Sequence, residues 1–288
     1  MLINKIIHKV PFFKKIKNIE KIDGGKTNQN FEVTLDSKKK YFVRICKDIP
    51  EHLIKRENEI NANQAASKIG ISPKIVYCNN EIIVFNFING KTFNQLDIQN
   101  NLIEIVDLLK EAHRKIPKII QGSSQIFWVF HVIRHYKNFL DLNNSNYKKI
   151  LNDLILRLEK IENSSTPYDI VYGHNDLLSA NFMKSKKKIY LVDWEYAGYN
   201  TPLFDLGGLS TNNNFNKKQE QMMLENYYEI KISNSLLHRY YCIKSASLLR
   251  ETMWSMVSEI ISNIDFNYKN YTEENLEYFY QEYKKLNF

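Results

Sequence analysis

The chain has 288 residues, 43% of them hydrophobic and 25% charged, with a formal net charge of +8. That balance excludes a disordered chain and supplies the core of one large domain or of two lobes. Its three cysteines, Cys46, Cys78 and Cys242, form no CxxC pair, which argues against a zinc site or a disulfide scaffold.

Met1 to Ile22 mixes Ile, Phe and Lys without a continuous apolar stretch or a small-residue cleavage site. No apolar run approaches the roughly 18 residues a bilayer span needs, so the expectation is a cytoplasmic protein with no transmembrane segment. The lysines are scattered, clustering only at Lys38-Lys39-Lys40 and Lys186-Lys187-Lys188, which read as hairpin turns. Nucleic acid is therefore not the expected partner, whereas an anionic nucleotide suits the charge.

In chain order, Ile19–Ile22, Phe31–Leu35 and Tyr41–Ile45 read as short strands, separated by Gly24-Gly25 and by Asp36 to Lys39. Glu51 to Ile69 has helical spacing and ends at Gly70 and Pro73. Lys74–Tyr77 and Ile82–Phe87 read as two further strands. From Leu96 the pattern turns helical, with amphipathic helices over Leu102–Ile116 and Lys148–Ile161. A loop–strand–loop segment interrupts before helices resume after Pro202. Three strands, a helix and two strands is the order of a kinase small lobe. The expected class is α+β, a bilobal protein-kinase-like fold. Its β-rich lobe covers residues 1–88, with 1–18 as a candidate extension, and its helical lobe covers 89–288.

The segment His174-Asn-Asp-Leu-Leu-Ser-Ala-Asn181, followed by a strand ending at Asp193, has the spacing H-x-D-L-x-x-x-N and then a metal-binding Asp. Phosphoryl transfer needs a carboxylate to orient and deprotonate an incoming hydroxyl, the expected role of Asp176. It also needs hard oxygen ligands that hold Mg²⁺ against phosphates, which suits Asn181 and Asp193. Taken singly, these fragments read rather as a polar turn and a strand-end cap; the two in this order point to kinase chemistry.

On the nucleotide side, Gly24 and Gly25 would let backbone N–H groups approach phosphates, with Thr27 and Asn28 adding hydrogen bonds. A P-loop is excluded, because Glu20 stands where its first Gly is required and the context is strand–turn–strand. Arg44, in Phe-Val-Arg-Ile, holds the third-strand position of the kinase lysine and could neutralise phosphates. Glu59 is its expected carboxylate partner, with Glu57 as fallback. Backbone groups of Asn86 to Ile88 would meet adenine.

The Gly24–Asn28, His174–Asn181, Val192–Asn200 and Trp254–Tyr271 blocks resemble the choline/ethanolamine kinases, within the wider aminoglycoside-phosphotransferase-like group. The resemblance implies ATP- and Mg²⁺-dependent phosphorylation of the choline hydroxyl, with Asp176 as base, Asn181 and Asp193 as metal ligands and Asp205 bracing the loop. Tyr196, Trp254 and Tyr271 match positions of an aromatic cage suited to a quaternary ammonium, although buried helix core accounts for them too. Where animal members usually carry a further Trp, this chain has Glu251, a carboxylate that suits a primary ammonium as well. Glu195 would add negative potential near the cation or the metal. His113, His131, His135 and His174 read as structural. Ethanolamine, thiamine or an aminoglycoside are alternative acceptors, an inactive choline- or nucleotide-binding sensor is the non-enzyme alternative, and a homodimer stays open.

Overall fold

The structure, a computed structural model, describes residues 6–22, 28–79 and 81–288. Five strands, β1 (Ile16–Ile22), β2 (Gln29–Leu35), β3 (Lys40–Ile45), β4 (Ile75–Cys78) and β5 (Ile82–Asn86), form a sheet in the order β1-β2-β3-β5-β4. Every neighbouring pair is antiparallel. Alternation decides the two faces. Val33, Val43 and Val84 bury one face against Ile7, Val10 and Phe13. Ile83 and Phe85 turn to the other, beside Cys46. The lysine cluster at 38–40 does make the β2–β3 turn, with Lys38 at φ 64°.

The helix expected from Glu51 begins five residues later, as α1 (Arg56–Lys68). Pro50–His52 instead forms a short 3-10 turn, and Leu53, at φ 58°, ends it in the left-handed region. That conformation breaks the i→i−4 ladder. The Asp48 carboxylate then accepts the Arg56 N–H at 2.8 Å and restarts the chain as a helix. Ala62, Ala65 and Ala66 bury the inner side of α1 in the core shared with the helices that follow.

Beyond β5 come β6 (Lys91–Thr92), α2 (Gln95–Asn100), α3 (Leu102–Lys115), α4 (Val129–Leu142) and α5 (Lys148–Ser164). Helix α4 falls within the stretch read as helical from Leu96, though its bounds were not drawn from the sequence, and it buries Val129, Val132, Ile133, Tyr136 and Leu140 at helical spacing. Short strands β7 (Val171–Gly173), β8 (Phe182–Ser185), β9 (Lys188–Leu191) and β10 (Gly198–Asn200) pair as β7-β10 and β6-β8-β9. The Lys186 cluster is the β8–β9 turn. Then follow α6 (Pro202–Asn212), α7 (Lys217–Tyr228), α8 (Asn234–Ile261) and α9 (Tyr268–Tyr283).

The long helix α8 is the spine of this part: it packs on α4, α5, α6 and α9, and its residues from Cys242 to Ser258 are buried save Glu251. A helix apolar all round belongs in a core. Lys244, buried on α8, bridges Glu220 at 2.8 Å and Glu282 at 3.1 Å, tying α7 and α9 to the spine. Among the described residues no helix is long and apolar enough to cross a membrane.

Candidate active site

The loop after β7 is held by Asp205, in the first turn of α6. Its Oδ2 accepts the His174 backbone N–H at 2.8 Å and its Oδ1 that of Asn175 at 2.7 Å. His113 Nε2 lies 2.9 Å from the same Oδ2. Burial pushes the Asp205 carboxyl up, but the hydrogen bond and charge of His113 outweigh it and hold the group below the usual carboxylate range. Gly173 makes room for this carboxylate, since a Cβ there would meet both Asp205 Oδ2 and Asn175 Oδ1 at 3.0 Å. Gly173→Ala is expected to destabilise the fold by about 1–3 kcal/mol and to lower turnover beyond that, as read by thermal melting beside a kinase assay.

Asn175 sits at φ 65°, a strained conformation for a non-glycine residue. Its own side chain holds it there. Nδ2 donates to Tyr196 O at 3.0 Å and Gly198 O at 3.2 Å, while Oδ1 accepts from Asn200 Nδ2 at 3.1 Å. The next residue, Asp176, is thereby turned into a cavity of about 50 Å³ lined also by Asn175, Arg250, Glu251, Ser247 and Asn275. Burial raises the Asp176 carboxyl to about 7, with Arg250 opposing and Glu251 adding to the rise.

Asn181 Nδ2 donates to Asp176 O at 2.8 Å, and Val192 N donates to Asn181 O at 2.9 Å. His174 Nε2 donates to Val192 O at 2.9 Å, leaving Nδ1 to accept the Asp176 N–H at 3.3 Å. His174 is thus a neutral brace, and burial lowers its pKa accordingly. These bonds bring Asn181 and Asp193 to one place. Asp193 lies at φ 68°, a second strained residue in the site.

Arg44 reaches Asp193 across 149 residues: NH1 is 2.5 Å from Asp193 Oδ1 and 2.7 Å from Glu59 Oε1. Glu59, not Glu57, is therefore its helix partner. Arg56, which the sequence did not flag, joins the network through Glu59 and, at 3.3 Å, Glu195. Asn28 Nδ2 donates to the same Glu195 oxygen at 2.8 Å. Glu195, expected near the amine or the metal, thus belongs to the arginine network. Burial, then Asp193, raises it to about 7, with Arg56 and Arg44 opposing. Asp193 goes the other way: burial pushes it up, but Arg44 beside it more than compensates.

Two guanidinium groups face three carboxylates, so this network carries one negative charge in excess when Glu195 is ionised. Asp193 Oδ2 and Asn181 Oδ1 accept no hydrogen bond among the described residues. Hard oxygens beside excess negative charge fit Mg²⁺. Among the described residues no cluster of three His, Cys, Asp or Glu could hold a metal alone, so any ion here would rely on phosphate oxygens for the rest of its shell.

The remaining nucleotide-side expectations fare unevenly. Gly24, Gly25 and Thr27 lie outside the described residues. The Asn86 backbone N–H is already donated to Lys74 O at 2.9 Å, so it is not available to adenine; Ile88 lies two residues beyond.

Of the aromatic trio, Trp254 and Tyr196 meet each other while Tyr271 meets Glu251, and they do not form an open cage around Asp176. Trp254 Nε1 donates to Tyr196 OH at 2.8 Å, and Tyr271 OH donates to Glu251 Oε1 at 2.7 Å. His52 stacks on the Trp254 indole, centroids 5.3 Å apart, and Trp254 lines a second cavity of about 400 Å³ with His52, Glu51 and Tyr268. Glu251 and Arg250, rather than Trp254, form the wall of the Asp176 cavity. The guanidinium of Arg250 sits 5.0 Å from the Tyr196 ring centroid and donates from NH1 to Glu251 Oε2 at 2.6 Å and from NH2 to Asn175 O at 3.0 Å. Sequence reasoning missed Arg250 and also Tyr136 of α4, whose buried phenol senses Arg250, Glu251 and Asp176. A signal existed for the first: Arg250-Glu251 is a charged pair inside an otherwise apolar helical run, and buried charges come paired.

A five-stranded antiparallel sheet with one long helix, joined to a helical part that carries an aspartate loop and a following strand-end aspartate, defines a kinase-like phosphotransferase. Residues 19–222 match the choline/ethanolamine kinase family, and the chain belongs to it. It is accordingly a phosphotransferase with an alcohol group as acceptor. A probable ethanolamine kinase of Arabidopsis thaliana is 27% identical over 310 residues, covering 93% of this chain and 79% of that protein. The crystal structure of choline kinase LicA from Streptococcus pneumoniae superposes with a TM-score of 0.82 at 22% identity, over 99% of this chain and 100% of that one. A structure of LicA in complex with AMP gives a TM-score of 0.75 at 21% identity, over 97% and 96% of the two chains.

Proposed function

We propose that this chain transfers the γ-phosphoryl group of ATP to the hydroxyl of a small amino alcohol, ethanolamine ahead of choline. The observation that carries the acceptor is Glu251, a carboxylate on the wall of the cavity into which Asp176 projects. A primary ammonium donates hydrogen bonds and gains from a carboxylate that accepts them; a quaternary one has none to give. Choline remains the second reading, supported by the Trp254–Tyr196 contact and by Tyr271 against Glu251.

ATP lies between residues 1–88 and 89–288, with Ile88 backbone groups at adenine and Arg44, held by Glu59, facing the phosphates. Asp176 accepts the hydroxyl proton as the alcohol oxygen bonds to the γ-phosphorus. The bond from that phosphorus to the bridging oxygen breaks, and ADP leaves with the electron pair. Asn181 and Asp193 would hold Mg²⁺, which would supply charge screening of the phosphates. Asp205 keeps the loop in register. Positioning and charge supply most of the rate.

ADP release with Mg-ATP, compared across ethanolamine, choline, thiamine and an aminoglycoside, tests the reading. Turnover on the first two, with the lower KM for ethanolamine, is the expected result; turnover only on thiamine or the aminoglycoside would refute it.

The pH dependence follows from Asp176. Its carboxyl is raised to about 7, so the proton-accepting form is populated above that pH and depleted below it. The kcat/KM for the amino alcohol should fall about tenfold per unit of pH on the acid side and level off above it. A profile flat from about pH 5.5 to about pH 8 would deny Asp176 the role of base.

A further inference from the structure

We propose that Arg250 is a resident cation of the amine end of the site and sets its preference for a primary over a quaternary ammonium. The inference rests on the amino-alcohol kinase reading above. Arg250 is 3% exposed and lines the same cavity as Asp176 and Glu251. Its guanidinium sits against two aromatic rings that themselves meet edge to face, 5.0 Å from the centroid of Tyr196 and 5.6 Å from that of Phe127. This is the position in which an aromatic face stabilises a cation. The face of Tyr196 that would attract a substrate's ammonium therefore already carries a positive charge belonging to the protein.

The carboxylate side of the pocket is shared in the same way. Glu251 Oε2 accepts from Arg250 NH1 at 2.6 Å and Oε1 accepts from Tyr271 OH at 2.7 Å. Each oxygen has a second lone pair, so a primary ammonium can add one hydrogen bond without displacing either donor. A trimethylammonium group cannot use those lone pairs. Its attraction comes from aromatic faces and net negative charge, and Arg250 takes up both. Displacing Arg250 would strand a buried guanidinium, because NH2 is held by Asn175 O at 3.0 Å and Nε already lacks a partner among the described residues. The same bond to Asn175 keeps the cation from swinging aside, since that residue is fixed by its own side-chain contacts.

The test compares kcat/KM for ethanolamine and choline in the wild type, Arg250→Leu and Arg250→Lys, each checked for its melting curve and Mg-ATP binding. Arg250→Leu is expected to shift the ratio about tenfold or more toward choline, and Arg250→Lys, which keeps the charge, to leave it near the wild-type value. A folded, ATP-binding Arg250→Leu with a ratio within about twofold of wild type overturns the proposal. Should that variant not fold, inhibition of the wild type decides: methylammonium is expected to compete with ethanolamine and tetramethylammonium not to, and equal competition by both overturns the role of Arg250. Failure of the wild type to phosphorylate either amino alcohol is a different result. It removes the function reading itself, and the Arg250 proposal with it.

Discussion

Asp176→Ala is expected to lower kcat by about a thousandfold while leaving Mg-ATP binding within a few-fold of wild type. The side chain projects into the cavity and accepts only one long bond, from Asn181 Nδ2 at 3.4 Å, so it is a minor part of the hydrogen bonds that hold the loop. Those run through the backbone of His174 and Asn175 to Asp205, and through Asn181 to the Asp176 carbonyl, which alanine retains. The loss should therefore fall on the chemical step, as ADP release and nucleotide titration read it separately. Asp176→Asn keeps the shape but cannot take the proton, and should be nearly as slow. A substituted enzyme within tenfold of wild type would mean that the hydroxyl proton leaves without Asp176.

Asp193→Asn should cost about a hundredfold to a thousandfold in kcat and raise the Mg²⁺ concentration needed for half-maximal rate. Under the proposed function two roles end together: the negatively charged oxygen assigned to the metal is lost, and Arg44 loses the charged partner 2.5 Å away. Arg44 remains paired with Glu59 at 2.7 Å, so the β3–α1 connection should survive and the melting temperature change little. Titrating Mg²⁺ against rate separates this account from a purely structural one, in which the rate would fall without any change in metal requirement.

The contrast between what was legible in the sequence and what was not has a physical basis. The strands, the catalytic loop and the Arg44–Glu59 pairing were readable because each depends on local spacing or on a fixed order of elements. The start of α1 was not, because a left-handed Leu53 and an Asp48 side-chain bond decide it, and neither alters the hydrophobic period. Helix α4 carries the helical period in Val129, Val132, Ile133, Tyr136 and Leu140 and lay within the stretch read as helical from Leu96, but with no side-chain cap at its start its bounds were not legible. Trp254 was assigned to the Asp176 pocket from its position in a string; its three-residue offset from Glu251 on α8 nonetheless puts it on the wall of a different cavity. The Arg56 partner of Glu195 was hidden for a related reason, since the contact spans 139 residues and no local pattern announces it.

The central claim is that a small amino alcohol receives the phosphoryl group. Phosphorus-31 NMR of the protein with Mg-ATP and ethanolamine, repeated with choline, tests it most directly because it identifies the product. The account predicts a phosphomonoester resonance growing in step with ADP, faster with ethanolamine and absent with Asp176→Ala. ATP left intact with both alcohols, or cleaved only to inorganic phosphate, would contradict it.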